Sequence, residues 1–188
     1  VWEAMVTNPL YSTLVERNPY NPAQLIASAA NSWKEGITAA ELGYLPPSGT
    51  QFSIRFFLRT DLFFHDGRQV TSGDVKFTLD EFKRIPADFF VPSTINIVGV
   101  NAPNAFTVDV HFKNKSPFHI LAAGNIIPIM PKHIWDANND GLWDAAKAEI
   151  EFDPMREFAL IGSGNFVCRS VEPATLGRVG GRCSSTFN

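Results

Sequence analysis

The segment from Phe52 to Asp80 constrains the fold more than any other part of the 188-residue chain. Its first half alternates the apolar residues Phe52, Ile54 and Phe56 with polar residues, which is the period of a strand with one buried face. The sequence His65-Asp66-Gly67 then indicates a turn. A strand, a turn and a helix start are therefore predicted within this one segment.

The helix start is indicated by Thr71 and Asp74, which lie three residues apart. This spacing predicts a capping box, in which the Thr71 hydroxyl accepts from the amide of Asp74 and the Asp74 carboxylate reaches back to the amide of Thr71. Val75, Leu79 and Phe82 follow at the spacing of a buried helical stripe. The pattern predicts a helix that begins at Asp74, ends at Lys83 and packs on the strand.

The run from Phe52 to Leu79 resembles the signature segment of extracellular solute-binding protein family 5, whose members serve peptide, nickel and oligosaccharide ABC importers. Further segments resemble motifs of this family in the expected order: Tyr11–Val15, Leu25–Trp33, Ile129–Trp135 and Gly162–Phe166. In the last of them, Asn165 stands where the family usually has proline.

The resemblance covers roughly residues 10–170 and implies an α/β fold, a mixed-sheet subdomain of a two-lobed, periplasmic-binding-protein type II-like architecture. Because family members are usually more than twice as long, it implies that residues 1–188 form an N-terminal lobe fragment that lacks the C-terminal lobe. We expect an inserted α/β subdomain over about 45–165. Glycine and serine over 175–188 predict a loop or disordered tail.

Composition and charge indicate which partners to expect. The chain is 45% hydrophobic and 19% charged with a formal net charge of -3, so it offers no basic surface for nucleic acid. It has no run of about 18 apolar residues that would span a membrane. Val1-Trp2-Glu3 does not resemble a signal peptide. The resemblance implies an extracellular or periplasmic location, with anchoring through a removed N-terminal segment left open.

Two cysteines, Cys168 and Cys183, flank a glycine-containing segment. Two readings stay open: a disulfide, which would contribute about 3 kcal/mol by closing a short loop, and two unpaired thiols. The extracellular setting that the resemblance implies favours the disulfide. Two cysteines without clustered histidines do not form a zinc site.

Outside the signature segment, the pattern predicts a coarse order of elements. A short element begins at Leu10, Ser116-Pro117 starts a helix, and Asn101–Asn104 forms the turn of a hairpin. A short helix or turn is expected over Ala23–Trp33, and a helix is expected over Trp143–Ile150. The hairpin strands are predicted to be Ile95–Val100 and Phe106–Phe112, and both are expected to pair with the signature strand.

Catalytic and metal-binding interpretations are weaker than structural ones. Adjacent His65 and Asp66 would point apart on a strand end, so the pair is expected to be architectural. His111, His119 and His133 lie in three separate segments without metal-ligand spacing, and no metal or other cofactor is expected.

The segment from Asp136 to Asp140, followed by Gly141, fits the first half of an EF-hand calcium loop. The position that should hold a bidentate glutamate is Lys147, whose positive charge opposes a cation. We therefore expect a polar turn here.

Two functions from different classes fit the sequence. The resemblance implies the substrate-binding component of an ABC importer, not an enzyme, which captures a small solute by cleft closure and works with a membrane permease. Peptide is the expected solute, with oligosaccharide and nickel complex open. The alternatives are a hydrolase that uses a histidine and a carboxylate, and a structural subdomain without binding activity.

The expected ligand-binding residues are Tyr11, Phe89, Phe90 and Asn125. Aromatic faces and one amide suit a mostly uncharged solute backbone. Each has a structural alternative: Tyr11 packing beside Leu14, the two phenylalanines stapling a loop, and Asn125 accommodating a turn.

Overall fold

The computed structural model describes residues 10–84, 91–143, 161–172 and 182–187. The strands are β1 Val15–Asn18, β2 Asn21–Ala27, β3 Ala30–Glu35, β4 Phe52–Leu58, β5 Ile97–Asn104, β6 Thr107–Phe112, β7 Phe166–Glu172 and β8 Arg182–Phe187. The helices are α1 Ala39–Leu42, α2 Ser72–Arg84, α3 Val91–Thr94, α4 His119–Gly124 and α5 Lys132–Trp135. An antiparallel sheet in the order β3-β4-β6-β5 forms the centre, accompanied by the two-stranded sheets β1-β2 and β7-β8.

Strand β4 confirms the predicted signature strand. Ile54 and Phe56 are fully buried and lie opposite Val110 and Val108 of β6. Full burial of a side chain of this size contributes about 1.5–3 kcal/mol. One face of β4 and β6 therefore carries the main apolar core, on which α2 packs.

The predicted hairpin is present with two corrections. Strand β5 continues through Asn101–Asn104, which the sequence analysis assigned to the turn, and the turn lies at 105–106. Pro103 is accommodated because the β5-β6 register shifts between Asn101 and Asn104. Strand β4 pairs with β6 on one edge and with β3 on the other, so its predicted pairing with the first hairpin strand was wrong.

The prediction of a short helix or turn over Ala23–Trp33 was also wrong. These residues form most of β2 and β3, and β2 is largely exposed. Strand β3 is fixed by its partner, since Trp33 lies opposite Phe56 of β4. The local pattern did not indicate strands because cross-strand pairing, not intrinsic preference, stabilises them.

Helix α2 begins close to the predicted residue, but its cap differs from the predicted capping box. The Asp74 carboxylate accepts from Thr71 N at 2.9 Å, as expected, whereas the Thr71 hydroxyl donates to the same carboxylate at 2.8 Å. The second carboxylate oxygen accepts from Lys132 N at 3.0 Å. A complete capping box occurs instead between Thr38 and Glu41 at α1. Asp74 therefore fixes the start of α2 and the start of α5 together.

Other expected elements shift or lie outside the described residues. Helix α4 begins at His119, not at Ser116-Pro117, because those residues form a turn in which Ser116 Oγ accepts from Phe118 N at 3.3 Å. The expected helix over Trp143–Ile150 lies outside the described residues after position 143. Strand β8 corrects the expected loop or disordered tail at 182–187, since its backbone pairs with β7, whereas 175–181 lie outside the described residues.

The cysteine positions are described for the backbone only. In the β7-β8 register, Cys168 lies opposite Ser185 and Cys183 lies opposite Val171. The side chains of both cysteines lie outside the described residues, and the disulfide stays a prediction.

The loop from Asp136 is a polar turn, as expected. The buried Asp136 carboxylate accepts from Asp140 N at 2.9 Å and from Gly141 N at 3.1 Å. Asn139 and Gly141 adopt positive φ angles of 55° and 81°. Because backbone amides engage this carboxylate, it does not face an open cation site. Across the described ranges, no cluster of three metal-ligating side chains is present, and no helix is long and apolar enough to cross a membrane.

The sheet face opposite the main core carries a polar cluster formed by Tyr44, Ser53, Arg55, Asp109 and His111. The Arg55 guanidinium donates two hydrogen bonds to Asp109 at 2.6 and 2.8 Å. The Tyr44 hydroxyl donates to Asp109 at 2.7 Å, and burial followed by this hydrogen bond raises the pKa of Tyr44 to about 12. Asp109 and His111 are fully buried, yet both have partners.

Hydrogen counting fixes the tautomer of His111. The single Tyr44 hydroxyl hydrogen is used on Asp109, so the Tyr44 oxygen accepts from His111 Nε2 at 3.3 Å. His111 Nδ1 then accepts from the Ser53 hydroxyl at 2.8 Å. Burial lowers the pKa of His111, with a smaller opposing effect from Asp109.

The cap of α2 generates a first prediction. Thr71→Ala should lower the free energy of unfolding by about 0.5–1.5 kcal/mol, because it removes the hydrogen bond from the Thr71 hydroxyl to the Asp74 carboxylate. Asp74→Ala should lower it by about 2–3 kcal/mol, because it removes the acceptor for two backbone amides. Urea unfolding measures both. Asp80→Ala in the same helix, which breaks only the exposed pair with Lys76, is the matched control and should cost less than about 0.5 kcal/mol. Equal losses for the Asp74 and Asp80 variants would contradict the role of the cap.

The buried histidine generates a second prediction, for pH. Because the folded-state pKa of His111 lies below its ordinary value of 6.5, the unfolded chain binds more protons below about pH 6.5 and stability falls as the pH is lowered through that value. Urea midpoints at pH 7.5 and 5.5 should differ less in His111→Gln than in wild type. A residual difference is expected from His119, whose pKa burial also lowers. Identical pH dependence of the two proteins would show that His111 does not contribute.

Candidate ligand-binding groove

A polar groove of about 440 Å³ lies between the β1-β2 hairpin and the segment that precedes β7. Its floor is formed by Tyr11–Thr13 and by Ser163–Phe166, two segments about 150 residues apart in sequence. Ala27 and Ser28 form part of one wall, and Asn125 lies at the end of α4. Further lining residues are Glu16, Arg17, Arg59 and Leu62.

Backbone hydrogen bonds join the two floor segments. Gly164 N donates to Leu10 O at 2.8 Å, and the Ser12 hydroxyl donates to Ser163 O at 2.8 Å. Ser12 N donates to the Ser163 hydroxyl at 3.4 Å. Ser12 and Ser163 are both buried. The floor is thus a fixed surface on which the hydroxyl groups of Ser12 and Ser163 already have protein partners.

His65 clamps the segment that carries Ser163. Its Nδ1 accepts from Gly162 N at 3.2 Å, so its Nε2 carries the hydrogen and donates to Gly164 O at 2.9 Å. The His65 amide donates to Gly162 O at 2.8 Å. Both ring nitrogens are engaged by backbone, so His65 has no nitrogen available as a general base. The expected architectural role of His65 is confirmed.

Asp66 makes a separate contact that connects the turn to α5. Its carboxylate lies 2.5 Å from His133 Nε2. Burial raises the pKa of Asp66, but the hydrogen bonds from the Arg68 amide and from His133 outweigh it, and the pKa is lowered overall. The adjacent pair therefore faces two different partners and does not act as a base with its orienting carboxylate.

Two of the four expected ligand-binding residues line the same groove. Tyr11 is 5% exposed, so little of its ring surface reaches the groove. Asn125 donates through Nδ2 to Val15 O at 3.1 Å, which leaves its side-chain oxygen as an acceptor. Its φ of -111° shows that it does not serve a left-handed turn. Phe89 and Phe90 lie outside the described residues.

Sequence reasoning missed several groove residues, among them Arg17 and Ser163. Arg17 lies in β1 and is exposed, a position that carries no sequence signal beyond polarity. Ser163 is part of the Gly162–Phe166 motif, but its contact with Ser12 depends on tertiary structure. The glycine at position 162 was the one sequence signal of this contact, because the residue lies against the Leu10 backbone where a Cβ would not fit.

A family model described as bacterial extracellular solute-binding proteins, family 5 Middle, matches residues 28–178. The chain belongs to this family. The predicted membership is therefore confirmed over most of the chain. A comparison with curated proteins gives no match.

Solved structures of similar fold include family 5 binding proteins with different ligands. The oligopeptide-binding protein AppA of Bacillus subtilis, in complex with a nonapeptide, is 23% identical with a TM-score of 0.62, over 92% of this chain and 30% of AppA. NikZ of Campylobacter jejuni, in complex with Ni(L-His), is 22% identical with a TM-score of 0.57, over 90% and 29%. The murein tripeptide binding protein MppA of Escherichia coli is 19% identical with a TM-score of 0.62, over 96% and 32%.

These likenesses show the fold. The chain has the mixed α/β architecture of one part of two-lobed, type II periplasmic binding proteins, as predicted, and it spans about 30% of the length of these solved relatives. Two of these relatives, AppA and MppA, are described as binding proteins. Their solutes differ, so membership of family 5 does not by itself select one solute.

The floor of the groove generates a third prediction. A Cβ at position 162 would lie 1.8 Å from Leu10 O, so Gly162→Ala should displace the segment and lower the free energy of unfolding by about 1–3 kcal/mol or more. Gly73→Ala in α2 is the control, because its Cβ would meet nothing closer than 3.4 Å. It should be neutral or stabilising by up to about 1 kcal/mol. Chemical denaturation of both variants measures the difference, and an unchanged Gly162→Ala protein would contradict the close approach.

Proposed function

We propose that this chain contributes the groove surface with which a family 5 binding protein captures an extracellular or periplasmic solute for an ABC importer. The observation that carries the proposal is the groove itself, a polar and preformed concavity built by segments distant in sequence. Both ring nitrogens of His65, which holds one segment of the groove floor, are hydrogen-bonded to backbone groups. Binding and release, without chemistry on the solute, is the function that such a surface supports.

A peptide is the proposed solute. Strand β1 has β2 on one edge and no strand on its other edge among the described residues. An extended peptide can add to such an edge through main-chain hydrogen bonds, which do not depend on the peptide's side chains. Asn125 supplies a further acceptor at this edge. Tyr11 and Asn125 are the proposed contacts, and the same role for Phe89 and Phe90 stays a prediction.

The other partners follow from the same proposal. A second lobe closes over the groove and excludes water from the solute, and a membrane permease receives the solute on opening. Half of a cleft desolvates a ligand poorly, so this chain alone binds weakly compared with the whole polypeptide.

The fourth prediction tests the groove with two matched variants of the full polypeptide that contains this chain. Ala27 and Ala23 are both exposed residues of β2, but only Ala27 lines the groove. Ala27→Trp should fill the groove and weaken binding at least about tenfold, or about 1.4 kcal/mol, whereas Ala23→Trp should not change it. Calorimetry with pools of tri- to pentapeptides and of neutral oligosaccharides measures the effect.

The outcomes separate the alternatives. Peptide binding that Ala27→Trp weakens supports the proposal, and oligosaccharide binding with the same pattern would replace peptide as the solute. Equal affinities of the two tryptophan variants would place the solute elsewhere. Hydrolysis of any pool member during the titration would favour the hydrolase.

A further inference from the structure

Arg17 is a positively charged residue of the groove with no protein partner among the described residues. It lies in β1, is exposed and lines the groove. Its side chain takes part in none of the hydrogen bonds or ion pairs of the described residues. Within the described part of the chain, all five donors of its guanidinium are thus left for solvent or a solute.

Three other arginines of the described chain differ from Arg17 in this respect. Arg55 binds Asp109 through two nitrogens, Arg59 binds Asp61 at 2.9 Å through two nitrogens, and Arg84 binds Glu81 in the same way. Among the arginine side chains that the structure describes, these three bind a carboxylate of the chain, whereas Arg17 and the exposed Arg68 do not. Of these two, Arg17 is the one that lines the groove.

The remaining charged groups of the groove lining, Glu16 and Arg59, each have a side-chain partner among the described residues. Glu16 accepts from the Ser28 hydroxyl at 2.7 Å, which occupies one of its oxygens. Arg59 uses Nε and one terminal nitrogen on Asp61, so its other terminal nitrogen is not used there. The lining therefore holds two guanidinium groups and one partly engaged carboxylate, although the whole chain has a formal net charge of -3. Because Asp61 balances Arg59 and Glu16 already accepts from Ser28, Arg17 is the charged group of the lining without a side-chain partner among the described residues, and its positive charge favours an anionic group on the solute.

We propose that Arg17 is a specificity-determining residue that binds a carboxylate of the solute, so that the groove selects solutes with a free carboxylate over their neutral derivatives. This inference rests on the proposed function of the groove. A planar guanidinium can bind a carboxylate through two parallel hydrogen bonds. Removing the solute carboxylate then leaves Arg17 without its counter-charge.

The test uses the full polypeptide and two pairs of probes measured by calorimetry. One pair is a pool of tripeptides with free C-termini and the same pool with C-terminal amides. The other pair is trigalacturonate and its methyl ester. The variants are Arg17→Gln and Arg17→Lys, and the matched control is Arg68→Gln. Arg68 is an exposed arginine outside the groove whose side chain also makes no ion pair among the described residues.

We expect wild type and Arg68→Gln to bind the free-acid tripeptides at least about tenfold more tightly than the amides. Arg17→Gln should bind both pools with the weaker affinity, and Arg17→Lys should keep part of the discrimination because it keeps the charge but loses the fork. A structural role of Arg17 alone would weaken both pools equally and would overturn the inference.

Three other outcomes would also support or overturn the proposed role of Arg17. Discrimination only between trigalacturonate and its ester would support the carboxylate contact and replace peptide by an acidic sugar as the solute. Equal binding of acid and neutral probes by wild type would overturn the role of Arg17 and leave the proposed function standing. Absence of binding to all four probes would overturn both.

Discussion

The groove depends on the docking of one short segment, 162–164, against the first described residues of the chain. Backbone groups of Leu10, Gly162 and Gly164 approach closely enough that position 162 has no room for a Cβ. His65 holds the same segment through both ring nitrogens and its amide. The entropy of closing a loop of some 150 residues must be offset elsewhere, and the central sheet, which lies between these segments in sequence, supplies the buried apolar surface that does so.

Regular apolar patterns made much of the central fold predictable. Strand β4 contains the alternating residues Phe52, Ile54 and Phe56 that predicted it, and α2 buries Val75 and Leu79 of its predicted stripe. Strands β2 and β3 were missed because β2 exposes most of its side chains and β3 depends on β4 for its position. The strand order was also not predictable, because the sequence pattern does not indicate that β3 lies beside β4 and β5 beside β6.

The candidate site was predictable only in part, and for a physical reason. Tyr11 and Asn125 were chosen from motif position and residue type, and both line one groove. Arg17 has no distinctive neighbour in sequence, so its significance appears only when the partners of the other arginines are known. The buried cluster around Asp109 had a signal, because Asp109 and His111 alternate with valine in β6. On its own, that alternation predicts a solvent-exposed face. The sequence does not show that Tyr44 covers Asp109 and His111 and hydrogen-bonds to them.

The buried cluster around Asp109 and the groove residue Arg17 use a guanidinium group in opposite ways. At Arg55 the guanidinium, Asp109 and Tyr44 satisfy one another away from water, so the charges are fixed in place and unavailable to a ligand. At Arg17 the guanidinium is exposed and makes no ion pair among the described residues, so binding the proposed solute carboxylate breaks no internal pair there. Under the proposed function, recognition falls to polar groups that have no side-chain partner among the described residues, and Arg17 is such a group on the concave surface of the groove.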